Sequence, residues 1–582
     1  MKKYILTIAA AVAAMTFTSC NQDLLEEPQK GTYSESQFYK TDEDCQSALA
    51  ACYAAIQHGK ASKGGFFMVD MCITSLLGDD AYKTSSGYKA DDYHTFMLST
   101  YDATHSFVNN EFQMLFQIVY RCNLVIDYFG AGTSAIQKNA VAEAKVIRAF
   151  AYSKIISFWG TPPLVKNVPR TGADMQLPNA STQELWAWVI STLDEAINSG
   201  VLQSKSGPND KSVVRVTKEF AMALKGKAQV FAGDYAGAKT TLKAVMESGK
   251  YSLVPGDQME LLGMGSKCNN NCESLFETNT IADDNNYSIV CANDNWMAYV
   301  PCRMDKHALI AGSYFTQYQG ATWGYYAPSE KIIKAMIAHE GWNSNRFKAW
   351  FWTYEQNMEM GLGSFESQKK ESDQTALDAM GFEPRKDFKS NAGKWWCAEC
   401  AGIWNRKLMI PAEDMFKNNY GYDSANRKYM RLAEVYLLYA EACAQLGETS
   451  GAGLQALNDI ATRAGAPTYP TLNMANVKQE KWFEMWMEGC RYVDLVRWGD
   501  GPTELANHWK TVPTFYGYKT GKSFKDIAPD GKNLYDVYDI RELDLEALTN
   551  TTYGFRKGQD ELLPFPATEL ANNPNLVQNP NW

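Results

Sequence analysis

The stretch RVTKEFAMALKGKAQVFAGDYAGAKTTLKAVMES, residues 215–248, decides how the rest of the chain is read. Gly226 stands seven residues before the turn Gly233-Asp234-Tyr235, and Ala238, Leu242 and Val245 follow it. Small residues where two helices touch, with a Gly-Asp-Tyr turn between them, make the tetratricopeptide spacing. Each helix pair buries one apolar face internally, and stacking on neighbouring pairs buries the rest. Lys225 departs from that pattern, at a place where leucine is usual.

Further pairs follow on either side. MRLAEVYLLYAEACAQLG with GLQALNDIATRAGAP (430–467) repeats the arrangement, with Ala440, Gly447 and Ala456 in corresponding roles. Less regular pairs are expected at 138–160 with 181–198 and at 42–57 with 104–129, the first helix of the latter opening on Thr41 or Asp42 as N-cap. In that last pair about fifty residues rich in Gly, Ser, Asp and Tyr intervene, far more than a linker needs. The expected fold is therefore mostly α: a tetratricopeptide-like solenoid of about four helix pairs (near 42–129, 138–198, 215–248 and 428–499), with large irregular loop insertions forming a ligand-binding face. The main insertion is 251–427, rich in Gly, Asn and Trp, and 500–582 is expected to cover the C-terminal end.

Composition narrows the function. The chain has 582 residues with 13% aromatics, including 16 Trp and 32 Tyr, a surplus over packing needs that suits a surface gripping something flat and apolar on one face. The formal charge of −10 and the lack of a basic run argue against nucleic acid. At the N-terminus MKK precedes an apolar run of about fifteen residues, YILTIAAAVAAMTFT, and then TSC at Cys20, the organisation of a secretory signal. The run is too short for a stable span. Residues 1–19 are read as a lipoprotein signal peptide, Cys20 as the lipidation site and 20–41 as a tether. Removing 1–19 takes away Lys2 and Lys3, leaving −12.

One further string is unusual: WFEMWMEGCRYVDLVRWG, residues 482–499, with three Trp, two Glu, one Asp and two Arg. Read as one helix, it offers Glu488 with Arg491 and Asp494 with Arg497 as ion pairs one turn apart. Paired carboxylates serve glycosidases, but Arg partners hold both ionised, so the string reads as a polar-laced structural helix.

The same string, with Glu480 and Lys481 before it, resembles the hallmark helix of the SusD/RagB family of outer-membrane nutrient-binding lipoproteins. SCNQDLLEEP, EAKVIRAFAYSKIISFWGTPPLV (143–165), RLAEVYLLYAEACAQLG (431–447), ALNDIATRAGAP (456–467) and LLPFPATELANNPNLVQNPNW (562–582) resemble that family in the same order. FTSC is similar to a bacterial lipobox, with Phe17 in place of the usual Leu; Lys481 stands where Arg is common, and Phe565 where Ile is frequent. The resemblance implies a single domain over 42–582 with no catalysis. It implies a lipid anchor in the outer membrane, facing the cell exterior, and a SusC-like TonB-dependent transporter to which captured oligosaccharide is passed. Peptide or glycopeptide cargo on the same architecture, and a glycoside hydrolase, are the alternatives.

Ligand contacts are predicted from chemistry. A sugar ring needs an exposed aromatic plane and a few polar groups at its hydroxyl rim. Two stretches supply both: 78–101, with Tyr82, Tyr88, Tyr93 and Tyr101 beside Asp79, Asp80 and Asp92, and 291–326, with eight aromatics in 36 residues. The expected glycan contacts are Trp296, Tyr299, Trp323, Tyr325, Tyr82 and Tyr88, with Asp79, Asn295 and Arg303 at the rim. The denser cluster WNSNRFKAWFWTY (342–354) has the spacing of a buried helix and is read as core. Outside the cytoplasm a Cys291–Cys302 disulfide is allowed, and Cys268, Cys272, Cys397 and Cys400 have the residue type, though nothing else, of a zinc site. No cofactor is expected; Asp283, Asp284 and Asp294 suit Ca²⁺ only by their oxygens.

Overall fold

The computed structural model describes residues 38–58, 66–83, 92–280, 326–356, 401–409, 414, 424–507, 509–544 and 554–582. Its helices are α1 (Asp42–His58), α2 (Phe66–Leu76), α3 (Ser106–Phe129), α4 (Ala135–Trp159), α5 (Thr182–Asn198), α6 (Lys218–Ala232), α7 (Tyr235–Met246), α8 (Glu330–Glu340), α9 (Asn345–Trp350), α10 (Leu432–Gln445), α11 (Ala452–Ala464), α12 (Met474–Glu484) and α13 (Arg491–Arg497), besides shorter ones. Helices α3 to α7 each pack on the next in sequence, α7 packs on α10, and α10 on α11 and α12. Together with α1 against α3 this is the helix-pair solenoid that the sequence predicts, closed around one continuous apolar core.

Local chemistry sets the ends. Thr41 Oγ1 accepts from the Asp44 amide at 3.1 Å while Asp44 Oδ2 accepts from the Thr41 amide at 2.8 Å, a reciprocal cap that starts α1. Ser134, Ser181, Thr217 and Asp234 cap α4 to α7 in the same way, each accepting an amide from the first helical turn. Gly233 ends α6 at φ +80°, a left-handed conformation that favours glycine. At Gly226 a Cβ would overlap the Leu242 side chain, so glycine lets α6 and α7 approach. Lys225, the departure from the repeat pattern, reaches 2.6 Å to Asp194 on α5 and ties two helix pairs together.

Two expectations change. The stretch between α1 and α3 is not all loop: α2 lies within it, FFMVDMCITSL, with every residue buried. Its polar residues Asp70, Thr74 and Ser75 are buried with the rest, so no solvated face reveals a helical period. Residues 482–499 are not one helix either. α12 ends at Glu484, Met487 and Gly489 take φ +56° and +76°, and α13 starts at Arg491. Asp494 and Arg497 pair as expected at 2.7 Å, but the turn separates Glu488 from Arg491 and sends each to a distant partner.

Among the described residues four two-stranded antiparallel ladders join the helices: β1 (Ala81–Lys83) with β3 (Tyr326–Pro328), β2 (Ser274–Thr278) with β6 (Arg427–Arg431), β4 (Phe351–Thr353) with β5 (Ile403–Asn405), and β7 (Thr511–Tyr518) with β8 (Tyr538–Asp544). Phe347, Trp350 and Phe351 are buried, as expected of a core cluster. The closing segment seals the end of α4: Trp159 Nε1 donates to the Pro564 carbonyl at 2.8 Å, Asn579 Nδ2 to the Trp159 carbonyl at 3.0 Å, and Phe565 is fully buried. No helix among the described residues is long and apolar enough to cross a membrane.

Candidate functional site

The 482–499 string builds a foundation. Arg431, at the end of β6, places Nη1 2.6 Å from Glu484 Oε1 and 2.7 Å from Glu273 Oε1, and sets Nε and Nη2 each 2.7 Å from the Glu488 carboxylate. Arg463 joins Glu273 to Glu484 at 2.8 and 2.5 Å, and Arg346 joins Glu340, Glu480 and Glu484 at 2.9, 2.6 and 3.2 Å. Lys407 closes the network on Glu488. Burial raises the Glu484 carboxyl, but Arg463, Arg431 and Arg346 outweigh it and bring it down to about 2. A carboxylate so held cannot serve as a general acid. The sequence did not reveal this network because its members come from α8, α9, α11, α12, the end of β6 and three connecting segments, with no common spacing.

On this foundation stands the β1–β3 ladder. Asp79, just before β1, receives Arg491 Nε and Nη2 at 2.6 and 3.0 Å and Lys331 at 2.5 Å. Burial pushes its carboxyl up, and these two cations more than reverse the effect, holding it well below the usual carboxylate range. Asp80 accepts from Trp482 Nε1 at 3.2 Å through its side chain and from Trp486 Nε1 at 3.0 Å through its carbonyl. Its carboxyl is pushed up to about 7, by burial first and by the charge of Asp79 second. Ser329 Oγ donates to the Asp79 carbonyl at 2.6 Å, and Cys72 Sγ lies 2.6 Å from the Tyr326 hydroxyl.

Two predicted contacts are thereby corrected. Tyr82 is fully buried, its ring 5.1 Å from that of Trp509, and Asp79 is sealed in its ion pairs, so neither faces a ligand. Tyr82 is buried within the strand pair, and Asp79, just ahead of it, is buried by its ion pairs with Arg491 and Lys331. Tyr101 is buried as well, against Trp582. Tyr88, Asn295, Trp296, Tyr299, Arg303, Trp323 and Tyr325 lie outside the described residues, as do Cys20, Asp283, Asp284, Asp294, Cys291, Cys302, Cys397 and Cys400. Cys268 and Cys272 are free thiols.

The ladder has one further consequence. In its register Lys83 faces Tyr326. Lys83 is where the chain enters 84–91, and Tyr326 is where it leaves 281–325. The start of 84–91 and the end of 281–325 are thus fixed at neighbouring strand ends, on a base bolted to the 482–491 turn.

Comparison with known families matches residues 272–582 to the SusD family. The chain belongs to the SusD family. Every member of the buried network, from Glu273 to Glu488, lies within the matched span, as does Arg491. A SusD-like protein of Bacteroides ovatus is 24% identical over all of this chain and 98% of its own length, and SusD-like protein P38 of Formosa agariphila is 27% identical over 44% of this chain and 48% of its own. Among solved structures, a laminarin binding SusD-like protein superposes with a TM-score of 0.66 at 18% identity, over 94% of this chain and 100% of that one. Surface glycan-binding protein A from Bacteroides thetaiotaomicron, in complex with laminarihexaose, gives 0.66 at 19% identity over 93% and 100%. These likenesses establish a SusD-like fold over nearly the whole chain. SusD-family proteins are cell-surface associated, and these solved relatives are glycan-binding proteins.

Proposed function

We propose that this protein is a cell-surface glycan-binding lipoprotein, anchored through Cys20 in the outer membrane. It captures oligosaccharide or polysaccharide and passes it to a SusC-like TonB-dependent transporter, without catalysis of its own. The observation that carries this reading is the β1–β3 ladder, which fixes the start of 84–91 beside the end of 281–325. Gripping a sugar's apolar face and hydroxyl rim together takes aromatic planes and polar groups, and the sequences of these two segments supply both residue types. Family membership and laminarin- and laminarihexaose-binding relatives of the same fold support a neutral glycan as cargo.

The test is affinity gel retardation of residues 21–582 against a panel of polysaccharides, with reducing-end release measured on the same samples. Retardation by one polymer class without new reducing ends, lost in the Trp296→Ala, Trp323→Ala double variant, is the expected result. Release of product would replace the reading with a hydrolase. Silence across the panel would shift the cargo to peptide or glycopeptide.

A further inference from the structure

A groove of about 630 Å³ lies on the helical body, separate from the β1–β3 ladder, within the size range of small-ligand sites. Its wall on α3 carries Phe112, Phe116 and Tyr120 at four-residue spacing, with Gln113 and Gln117 one position along. That spacing places the three rings in one row and the two amides in a parallel row. Segment 163–177 and residues 569–576 form the opposite side.

The groove is preformed. Asn123 Nδ2 donates to the carbonyls of Val165 and Asn167 at 3.1 Å, fixing the loop to α3. Asn573 and Asn575 donate to the carbonyls of Leu177 and Gln176 at 2.7 Å, fixing the loop to the C-terminal segment. Thr568 Oγ1 donates to Asn109 Oδ1 at 3.2 Å, closing the ring of attachments back to α3. Rigid walls lower the ordering cost of binding.

Its chemistry is selective. Tyr120 is 44% exposed and Met175 66%, the two large apolar side chains at the rim. The Tyr120 hydroxyl, the amides of Gln117, Gln176 and Asn572, and the Glu569 carboxyl have no hydrogen-bond partner among the described residues. No Lys or Arg lines the groove among those residues, and it holds two carboxylates, Asp174 and Glu569, so an anion is repelled. Asp174 already caps the amides of Arg170 and Thr171, which leaves Glu569 as the uncommitted acceptor. The exposed Tyr120 ring and the half-buried Phe116 ring, beside the uncommitted amides of Gln117, Gln176 and Asn572 and one carboxyl, match a neutral, hydroxyl-rich ring compound.

We infer that this groove is a second carbohydrate-binding site, taking a short neutral stretch of glycan across Phe116 and Tyr120, with Gln117, Gln176, Asn572 and Glu569 bonding its hydroxyls. The inference rests on the glycan-binding reading of the protein. Its position on the solenoid lets one polymer engage the molecule at two separate points. Two linked contacts on one chain raise the effective concentration at each.

The experiment is hydroxyl-radical footprinting of residues 21–582 with and without the polysaccharide that retards the protein in gels, comparing wild type, Tyr120→Ala/Gln117→Ala and Trp296→Ala/Trp323→Ala. Met175 is the reporter. Protection of Met175 is expected in the wild type and in the loop variant with the oligosaccharide at high concentration. In the groove variant Met175 protection should disappear and polymer binding weaken about threefold to tenfold, the loss of one aromatic contact. Retardation with Met175 fully reactive would overturn the groove site and leave the glycan reading intact. Absence of retardation by any polymer would overturn both. Protection of Met175 by peptides and by no glycan would assign the groove to a protein partner instead.

Discussion

Arg431 sets its guanidinium 2.6 Å from the Glu484 carboxylate and donates at 2.7 Å to the Glu484 carbonyl, with both side chains almost wholly removed from water. The pair holds the end of α12 against β6, so the backbone is in place to turn through Met485–Cys490 and aim Arg491 at Asp79. A charge network thereby reaches the ladder that roots the aromatic-rich stretches.

Removing Glu484 leaves Arg431, Arg463 and Arg346 facing one another with fewer anions. Breaking one partner of a buried ion pair costs about 3–5 kcal/mol. Glu484→Gln is expected to lower the urea midpoint strongly, and a midpoint within error of wild type would refute the structural role assigned to the network. Acid has the same effect on the native residue. Its folded pKa, about 2, lies below the ordinary 4.5, so its contribution is present above pH 4.5 and is lost as pH falls towards 2.

Asp80 titrates the other way. Its carboxyl is pushed up to about 7 by burial and by Asp79, against an ordinary value of 3.8. Between those values the unfolded chain has released a proton that the native state keeps, so stability falls as pH rises through that window and levels off above it. Asp80→Asn removes this dependence. The difference in Tm between variant and wild type is expected to move in the variant's favour from pH 5 to pH 8; a difference that stays constant sinks the assignment.

Arg491→Met tests the link from foundation to site. It leaves Asp79 buried with Lys331 as its remaining cation. Destabilisation of about 3 kcal/mol or more is expected, together with weaker glycan retardation at temperatures where circular dichroism shows the fold intact. Normal retardation by the folded variant would detach the ladder from ligand binding.

At the helix crossing, Gly226→Ala forces a Cβ into Leu242. Overpacking of this kind costs about 1–3 kcal/mol. Leu242→Ala alone costs about 2–5 kcal/mol. Combined, the two should be less damaging than their sum, since the truncated side chain makes room for the new methyl. Additive losses in chemical denaturation would show that the contact is not the constraint.

Lys225→Leu restores the residue usual at that place in the repeat and discards the bond to Asp194. That pair is partly exposed on both sides, and such pairs are worth about 0–1 kcal/mol. A change in thermal midpoint of no more than a few degrees is expected. A collapse would mean that the inter-pair tie matters far more than its exposure suggests.

Local pattern by itself determined the solenoid. The spacing of Gly226, Gly233 and Ala238, the cap at Thr41, and the 3.6-residue period of the paired helices are properties of neighbouring residues, and they survive into the structure. The core character of Phe347 and Trp350 was legible for the same reason, although the helix expected over 342–354 covers only Asn345–Trp350 and Phe351–Thr353 forms a strand. What lacked a local signature went unseen or was misread. Helix α2 is buried on all sides, so no solvated face marks its period; the break at Met487 and Gly489 follows from where Glu488 and Arg491 find their partners, up to hundreds of residues away. Tyr82 and Asp79 had the right residue types for a sugar site, but a residue type carries no direction: Tyr82 is buried in the β1–β3 ladder and Asp79 in its ion pairs with Arg491 and Lys331. Only the tertiary structure decided which charges meet, because ion pairing depends on distance in space while sequence records distance along the chain.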